Sequence, residues 1–289
     1  MMTRYYQFAG VRIAVSMPEE LLFEIENRLA AFRTESSDAN WHFRFEKAEH
    51  LLPPEGTVVA QTPVLQYRVK DNHYIRYIEA TAGQWADAAA RAEYRERECT
   101  VQLRAARITG AVPVKYVLEA MAIEHLVARN SGFIFHCSYI NRNGKAILFT
   151  APSETGKSTQ ADLWGKYRQT EIINGDRAAI RLSGGRLLAE GIPFAGSSQY
   201  CKNRSLPLES IVYLGQAPVT TIRRLKGYES FSKIWEGVSV NRWDKTDMEM
   251  VSAVVQKAAA EIPMFHMPCT PDESAVIVLE DALEMLVNP

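Results

Sequence analysis

No stretch of the 289 residues approaches the roughly 18 consecutive apolar positions that a helix needs to cross a bilayer. A surplus of cationic charge is also missing. Lys and Arg number 33 against 34 Asp and Glu, a net charge of −1, whereas a general nucleic-acid binder relies on excess cations to displace counterions from phosphates. Cysteine is scarce, and Cys99, Cys137, Cys201 and Cys269 are scattered without a C-x-x-C pair, which fits reduced thiols better than a disulfide framework. The same spacing argues against zinc: Cys137 beside His136, and Cys269 three residues after His266, are isolated pairs with no second pair at ligand spacing. The opening Met1-Met2-Thr3-Arg4-Tyr5-Tyr6-Gln7 lacks the apolar core of a signal peptide. A cytoplasmic protein with no nucleic-acid and no membrane partner is therefore expected. What is present is an ordinary globular composition, 47% hydrophobic and 23% charged, in a chain long enough for one large domain or two of roughly 100–200 residues.

The first third reads as strand-rich. Tyr5 to Val15 holds two β-prone runs broken at Ala9-Gly10, and further runs are Trp41–Phe45, Val64–Val69 and Tyr74–Ile78. Turn signals at Pro53-Pro54-Glu55-Gly56 and Lys70-Asp71-Asn72 separate them. The Ala- and charge-rich stretch Ala86–Glu98 is expected to be a helix with a solvated face. From Pro113 to Arg129 the period turns helical, with Val114, Val117, Leu118, Met121, Leu126 and Val127 near one face and Asn130-Ser131-Gly132 closing it. A boundary near residue 110 thus separates a β-rich part, 1–110, from a second domain, 111–289. Phe133–Ile140 reads as one strand, Asn141-Arg142-Asn143-Gly144 as a hairpin turn and Lys145–Thr150 as a second strand.

That second strand runs into Ala151-Pro152-Ser153-Glu154-Thr155-Gly156-Lys157-Ser158-Thr159, which matches the Walker A phosphate loop with Ala in place of the first Gly. The residue types follow from the chemistry. Backbone N–H groups of Ser153, Glu154, Thr155, Gly156, Lys157, Ser158 and Thr159 can converge on phosphate oxygens, and Gly156 lets the backbone approach closely. Lys157 can reach the β- and γ-phosphates, and the Ser158 hydroxyl can ligate Mg²⁺. Thr159 to Tyr167 is predicted to form a helix whose positive end faces the anion.

Glu171 to Leu182 supplies a second component: an apolar strand ending at Asn174-Gly175-Asp176. A carboxylate placed there either serves the metal or takes a proton from an attacking hydroxyl; the alternative is an Asp capping a turn. Leu182-Ser183-Gly184-Gly185-Arg186 looks like the signature of ABC-transporter ATPases, but it comes too soon after Lys157 and no apolar strand ending in Asp follows it. It reads instead as a hairpin turn between Ala179–Leu182 and Arg186–Ala189. His136 closes an apolar strand, where a histidine is either a satisfied core residue or part of the site. The polar loop Ser197-Ser198-Gln199-Tyr200-Cys201-Lys202-Asn203-Arg204 carries two cations, Lys202 and Arg204. They either stabilise a transferring phosphoryl group or lie on a surface loop. Met248–Ile262 is an amphipathic helix, with Met248, Val251, Val254, Val255 and Ala258 on one stripe and Asp247 near its start; Ala282–Leu286 closes another.

Taken together, residues 133–191 resemble the HPr kinase/phosphorylase and phosphoenolpyruvate carboxykinase superfamily. The features that carry this are Phe135-His136 ahead of the loop, the short hairpin into Ala151–Thr159, the acid-bearing Asn174-Gly175-Asp176-Arg177, and the hairpin after it. Gly191–Ser198, Leu206–Leu214 and Met264–Cys269 ahead of Asp272 are similar to the stand-alone HPr-kinase-like proteins found beside peptide-modification genes. The resemblance covers about residues 114–285; residues 1–110 do not match the N-terminal domain of the HPr enzymes. It implies an α/β fold: a P-loop nucleotide-binding domain of HPr-kinase/PEP-carboxykinase type on a mixed sheet, with a smaller β-rich N-terminal part. Lys157 and Ser158 fall on the family's phosphate-contacting lysine and metal-binding hydroxyl. Asp176 falls on the second of two consecutive acids, and His136 on the histidine that positions one of them. Gly175 replaces the first acid, so one carboxylate remains where the family divides metal binding and proton transfer between two.

The implied activity is that of a phosphotransferase, an ATP- and Mg²⁺-dependent kinase acting on a hydroxyl, with a serine of a peptide or small protein as its acceptor. Asp176, His136 and Lys157 are the expected catalytic residues, and Ser158 and Asp176 the expected metal ligands. The alternative is a nucleotide-binding accessory or regulatory protein with little turnover. Formation of a homo-oligomer is left open by the sequence.

Overall fold

The computed structural model describes the chain apart from residues 22–28, 72, 81–84, 109–111, 113, 195–199 and 288–289, and apart from the side chains of residues 20, 86, 114 and 287. It divides into two compact units, Met1–Leu126 and Val127–Pro289. The boundary read near residue 110, the side chain of Val114 and the loop residues Ser197-Ser198-Gln199 fall outside the described residues. Among the described residues, no helix is long and apolar enough to cross a membrane.

The first unit is a mixed eight-stranded sheet. Its strands are β1 (Met2–Phe8), β2 (Val11–Met17), β3 (Trp41–Ala48), β4 (Thr57–Gln61), β5 (Leu65–Lys70), β6 (His73–Ile78), β7 (Ala90–Arg95) and β8 (Glu98–Arg104), in spatial order β1-β2-β3-β8-β7-β6-β5-β4. The tight turn at Ala9-Gly10 takes positive φ at both positions, 47° and 68°, as a two-residue hairpin requires. Ala86–Glu98 is not the expected helix: it supplies β7 and the turn into β8. Glu93 pairs with Arg91 at 2.7 Å and with Arg95 at 2.6 Å. A two-residue spacing puts these three charges on one face of a strand, while Ala90, Ala92 and Tyr94 are buried on the other. Tyr94 stacks on its cross-strand partner Tyr74, centroids 4.3 Å apart.

The helical run after Pro113 is likewise two helices rather than one, α1 (Val114–Met121) and α2 (Ile123–Ala128), separated by Ala122 at φ 47°. α1 and Glu124 belong with the first unit for a physical reason. The fully buried guanidinium of Arg76 on β6 donates to the Glu119 carbonyl at 2.6 Å and to the Glu124 carboxylate. Leaving that cation without its partner inside the protein costs several kcal/mol.

The second unit holds β9 (Gly132–His136), β10 (Ser138–Arg142), β11 (Lys145–Thr150), β12 (Glu171–Asn174), β13 (Arg177–Ser183), β14 (Arg186–Glu190), β15 (Ser205–Gln216), β16 (Arg223–Leu225), β17 (Val238–Ser239) and β18 (Met264–Cys269). They form one mixed sheet with the path β12-β10-β11-β15-β14-β13-β9-β17, and β18 pairs with β15 and β16. Phe133–Ile140 is thus two strands, broken at Cys137, and β9 and β10 go to different parts of the sheet. The hairpins at Asn143-Gly144 and Gly184-Gly185 form as expected.

Helices cover both faces, which is why the strands carry near-continuous apolar runs. Alternate residues separate cleanly. Ile147 and Phe149 point to the core under α3 (Lys157–Arg168) and the last helix, Glu273–Val287. Ala146 and Leu148 point to the core under α4 (Tyr228–Glu236) and α5 (Lys245–Glu261). α5 opens three residues before the expected Met248, because the Asp244 side chain accepts the Asp247 N–H at 3.0 Å and caps it. The short helix read at Ala282–Leu286 is the end of the longer Glu273–Val287 element.

Candidate functional site

β11 ends at Thr150, and the chain turns through Ala151–Gly156 before α3 opens at Lys157. Gly156 sits at φ 110°, which a side chain resists, so glycine fits here on backbone grounds. No side chain caps the helix start, leaving its first amides free for another acceptor. Ser158 and Thr159 are exposed in the first turn, whereas Lys157 is 8% exposed. Its ammonium donates to two carbonyls of its own loop, Ala151 at 3.1 Å and Pro152 at 3.2 Å. Burial lowers the Lys157 pKa from its ordinary value, while the Asp176 carboxylate acts in the opposite direction. Burial pushes the Cys137 thiol well up, so it remains a neutral SH.

β10 lies between β11 and β12 and runs antiparallel to both. β11 and β12 therefore point the same way and deliver the loop and Asp176 to one edge of the sheet. The Asp176 turn is built by Asn174, whose buried side-chain oxygen accepts the N–H of Asp176 at 2.9 Å and of Arg177 at 3.1 Å. The Asn174 amide donates to Ile192 at 3.2 Å and Phe194 at 2.6 Å. Every polar capacity of that amide is spent on holding backbone in place.

His136 is presented from the opposite direction, at the end of β9. Its N–H donates to the Gly237 carbonyl at 2.8 Å, and its carbonyl accepts the Thr150 hydroxyl at 2.9 Å. The next N–H, of Cys137, donates to the Asp176 carbonyl at 3.1 Å. The imidazole Nε2 consequently stands 3.6 Å from Asp176 Oδ1, an ion-pair distance longer than a hydrogen bond. Arg177 Nε lies 3.2 Å from Oδ2. His136 first, then Arg177 and Lys157, hold the Asp176 carboxyl below the usual carboxylate range against the opposing effect of burial. The carboxylate is ionised, partly exposed and available to a proton or a cation.

Lys157, Asp176 and His136, read separately along the sequence, are thus brought to one edge, with Ser158 exposed beside Lys157. Lys202 and Arg204 are not joined to them. The Lys202 ammonium binds Glu171 at 2.9 Å, at the far end of β12 from Asp176, and Arg204 is exposed. Asn174, Thr150 and Gly237 escaped the sequence reading, because their roles come from hydrogen bonds between distant segments. The one sequence signal was Asn174 two residues before Asp176, the spacing of a side-chain-closed turn.

The residues present fit Mg²⁺ in chemistry: a hydroxyl at Ser158 and an ionised carboxylate at Asp176 are the hard oxygen donors that this cation takes.

No family model matches the chain, and no curated protein matches it. Among solved structures, it is similar to the Hpr(Ser) kinase/phosphatase from Coxiella burnetii, with a TM-score of 0.32 and 11% sequence identity. That likeness covers 53% of this chain and 97% of the other.

Proposed function

We propose that the second unit is a P-loop nucleotide-binding domain and that the protein is an ATP-dependent kinase. In this reading it transfers the γ-phosphoryl group to a hydroxyl, that of a serine in a peptide or small protein. The observation that carries it is the convergence at one sheet edge of a lysine on an uncapped helix start, Lys157, with a carboxylate held ionised, Asp176. The first amides of α3 and the Lys157 ammonium bind the β- and γ-phosphates, exchanging the Ala151 and Pro152 carbonyls for phosphate oxygens. Mg²⁺, held by Ser158 and Asp176, would neutralise charge on the phosphates. His136 holds the carboxylate in place.

As the acceptor oxygen forms its bond to the γ-phosphorus and the bond to the departing nucleoside diphosphate breaks, the hydroxyl proton passes to Asp176, or to His136 beside it. The sequence resemblance to HPr-kinase-like proteins motivates the serine acceptor. Catalysis by such parts is positional and electrostatic.

A second reading is a nucleotide-binding regulatory protein with little turnover. It is favoured by Gly175, which leaves Asp176 without a neighbouring acid; the Gly175 carbonyl is itself taken by the Ser138 hydroxyl at 3.2 Å. One experiment separates the two: incubation with γ-labelled ATP, Mg²⁺ and peptides encoded beside the gene, for wild type and Asp176→Asn. Label on a serine that disappears in the variant supports the kinase. Tight ATP binding with no label on any peptide supports the regulatory reading and removes the first.

A further inference from the structure

The edge that carries the loop and Asp176 continues on the other side. β15 runs parallel to both β11 and β18, so all three strands end there, and ligands of open α/β sheets sit outside such carboxyl ends. Beyond the loop, on the side away from β12, lies a cleft of about 510 Å³, within the roughly 300–1,000 Å³ of small-molecule sites. One wall is Thr155, Gly156, Thr159 and Gln160; the facing wall includes Gln216 and Cys269 at the ends of β15 and β18.

Gln160 is the unusual member. It is 2% exposed, and its amide is oriented by a chain of contacts. The Cys269 thiol donates to the Gly215 carbonyl, 3.7 Å away, and its sulfur accepts from Gln160 Nε2 at 3.3 Å. That leaves Gln160, which lines the cleft, with its Oε1 buried and without a hydrogen-bond partner. A buried acceptor without a donor is a cost the folded chain carries until a ligand brings an N–H or O–H to it.

We propose that this cleft holds the nucleoside of the bound triphosphate, with Gln160 Oε1 accepting a hydrogen bond from a nucleoside amine or hydroxyl. The inference rests on the phosphate-loop reading above. The triphosphate then lies across the loop, its terminal phosphate toward Asp176 and its nucleoside toward β15 and β18. This divides recognition into a phosphate half and a nucleoside half, which are separately testable.

The test is calorimetric titration of the full chain with Mg²⁺ and either ATP or inorganic triphosphate. ATP is expected to bind about tenfold more tightly or better. Gln160→Leu should weaken ATP about three- to tenfold, leave triphosphate unchanged and not lower the apo Tm, because it removes an unsatisfied buried oxygen. Ala217→Trp, at a second position lining the cleft just beyond the end of β15, should give the same selective loss and guards against a misfolded first variant. Equal affinity for ATP and triphosphate, or losses shared by both ligands in the variants, overturns the nucleoside assignment and leaves the phosphate loop standing. Binding of neither ligand overturns both.

Discussion

The two carbonyls that occupy the Lys157 ammonium, and the burial that lowers its pKa, leave a cation ready to exchange neutral oxygens for charged ones. Lys157→Ala is therefore expected to abolish measurable ATP binding in a calorimetric titration while the fold is retained. Asp176 has the complementary role. Asp176→Asn should keep ATP binding within about threefold and remove phosphoryl transfer. A stability signature accompanies it. The folded pKa of Asp176 lies below its unfolded value, so the stabilisation from its partners is present above the unfolded pKa of about 3.9. It is lost as pH falls through the depressed folded value. Denaturant unfolding should find Asp176→Asn less stable than wild type at pH 7, with the difference closing in acid. An unchanged difference at low pH would mean that the carboxylate is not held by charge.

At the scale of elements, the site depends on backbone segments pinned by residues outside it. A Cβ at Gly237 would lie 2.6 Å from a ring carbon of the buried Phe135 and 3.2 Å from the Thr150 hydroxyl. Gly237→Ala is expected to cost about 1–3 kcal/mol by overpacking. It should also depress transfer more than ATP binding, since Gly237 and Thr150 fix His136 rather than the loop. Asn174→Ala removes four hydrogen bonds from a buried turn and should cost about 1–3 kcal/mol or more in thermal unfolding.

The β10–β11 hairpin, the loop and α3 were legible because local signals specify them: Asn143-Gly144, an apolar strand and the Gly-Lys-Ser-Thr step. The break at Cys137 was not, because Phe133–Ile140 contains no Gly, Pro, Asn or Asp to mark an interruption. Ala86–Glu98 misled through its helix-favouring composition, overridden by cross-strand pairing of Tyr94 with Tyr74. Gln160 could not be found in the sequence, since its partner Cys269 is more than a hundred residues away.

For the whole molecule, each unit has its own sheet and its own buried residues, so two unfolding transitions are expected in calorimetry. ATP with Mg²⁺ should raise one of them, by about 2.7 kcal/mol of stability at a hundredfold excess over Kd. The rise should vanish in Lys157→Ala, and equal displacement of both transitions would contradict a site confined to the second unit. The β-rich character of the first unit was readable from its alternating runs and turns. The attachment of α1 and Glu124 to that unit was not, because it comes from Arg76 reaching Glu119 and Glu124 from another part of the chain.

The opposite edge of the second unit's sheet has a practical use. The hairpin turns Asn143-Gly144 and Gly184-Gly185 join strands at the ends away from the loop and Asp176, and added atoms at Gly144, Gly184 or Gly185 meet nothing within 4 Å. All three take positive φ, where a side chain is strained however open the space, so a fluorophore, an affinity handle or a surface tether belongs on an exposed neighbour such as Arg186. Immobilisation there holds the second unit by the sheet end opposite the loop and Asp176.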